Sequence, residues 1–179
     1  MRHSQYTAFF RQLAEQHADI LHSSQDCRFL RVVLSSDPLQ RIMDAREFYD
    51  GMRDKLSPGY CMILQSYEVD YADSMGDQKT RECHGAFIIL HKVEAGDFDG
   101  LEQVLDKTEE IGEDIMGATV HLINQDFTLP KKFMTFNGIS NERVGPVGEN
   151  YHGTKFSFFF TQGANPSLRF KQDKFTAQE

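Results

Sequence analysis

Cys83 and His84 come closest to a reactive constellation in this sequence, because a thiol beside an imidazole is the composition of a cysteine nucleophile and its base. Adjacent residues on a strand point to opposite faces, so on a strand these two side chains cannot share a proton. The histidines His17/His22 and His84/His91 are spaced by five and seven, and neither spacing puts two zinc ligands one turn apart on a helix. Asp70, Asp73 and Asp77 with Gly76 have the composition of a calcium loop without its alternating ligand spacing or its closing Glu. Gly145-Pro146-Val147-Gly148 matches no phosphate-cradling pattern, and its proline removes an amide that an anion would need. Gly138-Ile139-Ser140-Asn141-Glu142 starts like a nucleophile elbow and ends in Glu. The expectation is therefore a protein with no catalytic residues, no metal and no cofactor.

The elements that would position any site begin with Ala86, Phe87, Ile88, Ile89 and Leu90. This unbroken apolar run reads as a central strand covered on both faces. After Asp97-Phe98-Asp99-Gly100, the residues Leu101, Val104, Leu105, Thr108, Ile111, Ile115, Thr119 and Leu122 recur at three- and four-residue steps. That stripe predicts a helix of roughly 25 residues, about 38 Å long. Its other side carries Glu102, Asp106, Glu109, Glu110, Glu113 and Asp114, either a solvated face or an electrostatic docking surface.

Upstream, Ser4 to His22 reads as an amphipathic helix using Tyr6, Phe9, Phe10, Leu13, His17, Ile20 and Leu21, with Ser4 as its cap. Phe29 to Leu34 alternates like a strand. Asp37-Pro38 opens a helical stretch expected to bury Leu39, Ile42, Met43, Phe48, Tyr49 and Met52. Tyr60–Tyr67 and Gly85–His91 read as antiparallel partners, and the connection from Asp70 to Glu82 is longer than a tight hairpin needs, so a projecting acidic loop is expected. Phe133–Phe136 and Ile139–Val144 are short strand candidates. Tyr151–Thr161 reads as the last strand, with Phe156, Phe158 and Phe160 on one face. The expected organisation is one α+β domain over 1–161, a mostly antiparallel sheet with long amphipathic helices on one face. A polar C-terminal arm over 162–179 follows, in which Arg169, Phe170, Lys171, Lys174 and Phe175 are candidate contacts.

A formal net charge of −8 over 179 residues argues against nonspecific nucleic-acid binding, which needs a basic footprint. Cys27, Cys61 and Cys83 are odd in number and widely spaced, against a disulfide framework and in favour of buried thiols. The opening Met1-Arg2-His3-Ser4-Gln5 has no apolar run, and no tract reaches transmembrane length, so a cytosolic chain is expected.

Cys61 to Tyr71 (CMILQSYEVDY), then Gly85-Ala86-Phe87, Asp97-Phe98-Asp99 and Asn150 to Phe158 (NYHGTKFSF), together resemble phage tail terminator and tail-completion proteins of phage-like and contractile-injection gene clusters. The resemblance runs over residues 29 to 160 and rests on element order rather than an invariant motif. It implies an α+β subunit without catalytic residues that forms a closed ring, often hexameric, at the end of a tail tube or sheath. On that reading the partners are other copies of the chain and the tube or sheath, and the protein is cytoplasmic during assembly and then part of the particle. Asp70, Asp73 and Asp77 are the expected contacts of the projecting loop. The rival reading is a small-ligand-binding α+β domain or enzyme, and an accessory chaperone is a third.

Overall fold

The computed structural model describes residues 1–35, 37–52, 55–73, 79–148 and 150–175. In chain order these form α1 (His3–Gln16), β1 (Phe29–Val32), α2 (Pro38–Met52), β2 (Cys61–Asp73), β3 (Lys79–Lys92), α3 (Phe98–Gln125), β4 (Lys132–Phe133), β5 (Ser140–Val147), β6 (Tyr151–Gly163) and α4 (Asn165–Leu168). The fold is α+β, with a six-stranded, mostly antiparallel sheet ordered β1-β2-β3-β6-β4, and β5 sharing the outer side of β6 with β4. The exception is β1, which pairs parallel to β2 because α2 carries the chain back across the sheet between them.

The two-sided apolar run of β3 follows from its position. It is paired to β2 on one side and to β6 on the other, so Phe87 and Ile89 enter one core while Ile88 and Leu90 enter another. The first core lies under α1 and α3. There Phe87 stacks on Phe156 with centroids 5.5 Å apart, and Phe10 packs against both Phe87 and Phe158. Buried Thr108 and Thr154 satisfy each other through their hydroxyls at 3.0 Å. The second core, on the opposite face, joins Val32, Met52, Cys61, Ile63, Ile88 and Leu90 under the C-terminal half of α2.

Several expectations about the helices need correction. α1 stops at Gln16 rather than His22, and the His17 amide closes it on the Leu13 carbonyl. Ile20 is still buried, but Leu21 takes a φ of 47° and is exposed. α3 spans 28 residues behind an Asp97 cap that accepts from the Gly100 amide at 2.9 Å, and Val104, Thr108, Ile111, Ile115 and Thr119 of the expected stripe are buried. Gly112, Met116, Val120 and Ile123 are buried with them, whereas Leu101 and Leu105 are half-buried and Leu122 is exposed. The groove over Phe156 decides that phase.

In α2, Asp37 caps as expected, accepting from the amides of Leu39 and Gln40 at 3.1 and 2.9 Å. Leu39, Ile42 and Met43 are nevertheless exposed. Beneath this half of the helix the sheet offers polar groups instead of an apolar floor, and Arg41 pairs with Glu68 of β2 at 3.2 Å. α2 also lies on the face opposite α1 and α3, so the helices are not all on one side.

Two glycines of α3 supply a test of this packing with opposite signs. A Cβ on Gly112 would fall inside the Phe156 ring, while one on Gly117 would meet nothing within 4 Å. Gly112→Ala should destabilise by about 1–3 kcal/mol through overpacking. Gly117→Ala should stabilise by up to about 1 kcal/mol, since alanine costs less chain entropy than glycine in a helix interior. Denaturant melts of the two variants should therefore move apart, and equal shifts would place α3 in the wrong phase.

Candidate interaction surface

The acidic segment expected to be a loop is mostly strand. β2 and β3 continue their ladder through Asp70↔Glu82 and Ala72↔Thr80 to Asp73↔Lys79. Aspartate is poor in strands, which hid the period. The ladder persists because β3 is simultaneously held by β6 as far as Thr80↔Gly163. Residues 74–78, Asp77 among them, lie outside the described residues. Asp70 and Asp73 therefore stand at the end of β2 in a part of the sheet that β3 and β6 share, both exposed to solvent. His84 Nε2 lies 3.3 Å from an Asp70 carboxylate oxygen and 3.1 Å from a Glu82 oxygen, with its ring against Phe159.

Cys83 and His84 face opposite sides of β3, as the strand reading required: Cys83 is fully buried in the first core and His84 is exposed. Burial pushes the Cys83 thiol upward and the Cys61 thiol up to about 12. Among the described residues, no three His, Cys, Asp or Glu side chains group together as metal ligands.

The C-terminal segment divides at Ala164. β6 runs two residues further than the sequence suggested, and Gln162 is buried where Arg81 donates to its side-chain oxygen from Nε at 3.2 Å and from Nη2 at 2.9 Å. Ala164 is also buried, its amide bonded to the Lys79 carbonyl at 2.7 Å. From Asn165 to Phe175 every residue is exposed. Arg169, Lys171 and Lys174 reach solvent there, and Phe170 and Phe175 stack on each other at 5.2 Å.

Two apolar surfaces escaped the sequence reading. One is the outer side of α2, where Leu39, Ile42 and Met43 recur at helical spacing and are 63–75% exposed. The other is the turn after α3, where Phe127, Leu129 and Phe133 are 56–90% exposed. Phe127 and Leu129 alternate among polar residues directly after a helix end, a signal that was readable. The α2 surface was not, because its residues look like any core-facing stripe.

The turn after α3 is held by charge. Lys132, buried beside β6, pairs with Asp126, which also accepts from the Thr128 amide and hydroxyl at 2.9 and 2.6 Å. Lys132 first, and then Thr128, hold the Asp126 carboxyl well below the usual carboxylate range.

Compared with known proteins, the chain matches no family model and no curated protein.

Two measurements follow from these groups. Near about pH 8 an aromatic disulfide reagent should label only half-buried Cys27 in the native protein and all three thiols in denaturant. Fast native labelling of Cys83 would contradict its burial. A depressed carboxylate binds fewer protons folded than unfolded, so the stability that Asp126 contributes is complete above about pH 4 and lost as pH falls below it. The stability gap between the wild type and Asp126→Asn should accordingly hold steady from about pH 6 to about pH 5 and narrow as the pH falls from about 4 toward about 2. A constant gap would mean the charge contributes nothing.

Proposed function

We propose that this chain is a non-enzymatic structural subunit that assembles with copies of itself into a closed ring and caps the end of a tail-like tube or sheath. The observation that carries this is the pair of separate apolar surfaces on one subunit. A head-to-tail contact needs two different patches, one offered and one received, and it closes into a ring when the rotation between copies permits. The outer side of α2 lies on one face of the sheet, and Phe127 and Leu129 lie in the turn that leads into β4, the edge strand that carries Phe133. A two-fold dimer would need only one such patch.

The resemblance to phage tail terminators supplies the hexameric order and the tube or sheath as partner. The end of β2, with Asp70 and Asp73 exposed, would supply an acidic contact for a basic rim.

The test uses two variants. One carries Leu39→Ser, Ile42→Ser and Met43→Ser; the other carries Phe127→Ser and Leu129→Ser. All five positions are exposed, so each variant should melt within about 0.5 kcal/mol per site of the wild type. Light scattering should find a ring of uniform mass for the wild type and monomers for each variant alone. Mixed together, the two variants each retain one intact patch and should stop at a heterodimer. A wild type that stays monomeric at all concentrations, or rings unaffected by either variant, would rule the reading out.

A further inference from the structure

We infer that the C-terminal segment of one copy docks in the groove between α3 and β5 of a second copy, an inference that rests on the ring reading and names the contact that would lock it. The groove is open and measures about 580 Å³; it is lined by Met116 and Glu113 of α3, by Phe156 of β6, and by Phe136, Ile139 and Asn141 at the β5 side. Phe136 is 67% exposed at its mouth, while Met116 and Phe156 form a buried floor. That volume falls within the range that binds compact apolar groups.

The rim is acidic. α3 carries seven carboxylates against a single lysine, Lys107. Lys107 is engaged by Asp19 and Glu110 at 3.2 and 3.1 Å, and Asp114 faces His17 at 3.4 Å. Glu102, Asp106 and Glu113 remain exposed, and Glu109 accepts from Asn141 at 2.7 Å beside the groove.

The segment from Asn165 to Phe175 has the complementary chemistry. It carries Arg169, Lys171 and Lys174 against Asp173, and its two phenylalanines are 71% and 66% exposed. Their rings stack on one another instead of on the body, while the groove of the same chain stands open. Each aromatic ring holds about 150–250 Å² of surface whose burial favours binding. The cations on either side of Phe170 would meet the carboxylates of α3, and the rings would fill the floor over Met116 and Phe156.

The experiment places a benzoylphenylalanine photo-cross-linker at Phe170 of the full-length chain. Equal parts of ordinary and ¹⁵N-labelled protein are mixed, irradiated and mapped by mass spectrometry, with light scattering on the same sample. The expected result is an oligomer whose cross-links join two different chains, from residue 170 to residues 113–116 or 136–141. Glu113→Lys should lower that yield by about fivefold, the effect of one partly exposed ion pair reversed. Raising the salt from about 0.05 M to about 0.5 M should lower it further. Cross-links within single chains would make the groove a seat for its own tail and overturn the exchange. An oligomer with cross-links elsewhere, or with none, overturns the docking and leaves the ring reading standing. Inter-chain cross-links in the groove of open-ended polymers of mixed mass would keep the docking and remove the closed ring. Monomers without cross-links would remove both.

Discussion

The whole molecule hangs on β3 being paired on both sides along nearly all its length. From Lys79 to Leu90 it pairs with β2, from Asp73 to Cys61 with one irregularity between Glu68 and Gln65, and from Thr80 to Lys92 it pairs with β6, from Gly163 to Tyr151. A strand so enclosed has no edge, so both its faces must be covered, and each face needs its own apolar layer. That requirement sets α1 and α3 on one side, over Phe87, Ile89 and Phe156, and α2 on the other, over Ile88 and Leu90. It also explains why the acidic end of the β2–β3 hairpin stays straight. Its aspartates disfavour a strand, but the ladder to β6 behind them holds the backbone in place.

Most polar groups in this interior are paired, while the Tyr6 hydroxyl and Arg28 Nε are buried without a hydrogen-bond partner among the described residues. Arg81 is 5% exposed and donates two bonds to Gln162, so the far end of β6 is tied to β3 by side chains as well as by its ladder. Lys132 meets Asp126, and Thr108 meets Thr154. A buried group left without a partner would cost more than its pair returns, and these pairings therefore specify register more than they add stability. The outer charges behave differently. The carboxylates of α3 lie on a solvated face, where they set the field around the molecule and contribute little to its folding.

The apolar surface is distributed in a way a monomer has little use for. Leu39, Ile42 and Met43 stand out from a helix whose other half packs on the second core, and Phe127 and Leu129 project from a turn that the Lys132–Asp126 ion pair ties to the body. Scattered single apolar side chains are ordinary on protein surfaces, whereas clusters on rigid elements are where partners bind. The proposed head-to-tail assembly would use two such clusters on different parts of one chain.

By itself the sequence determined the elements whose signal is local. The five-residue apolar run marked the central strand, Asp37 marked the start of α2, and the alternating phenylalanines marked β6 and the face it turns to the core. Opposite faces for Cys83 and His84 followed from strand geometry alone. What only the tertiary structure decided depends on which element lies beneath which. The parallel pairing of β1, the extension of β2 and β3 through Asp70 and Asp73, the spread of α3's buried face to Gly112 and Met116, and the burial of Gln162 by Arg81 all arise from contacts between residues far apart in the chain. The exposed half of α2 shows the reason most plainly. An apolar stripe states that a helix can be covered on one side, and whether it is covered depends on the floor that the rest of the chain places under it.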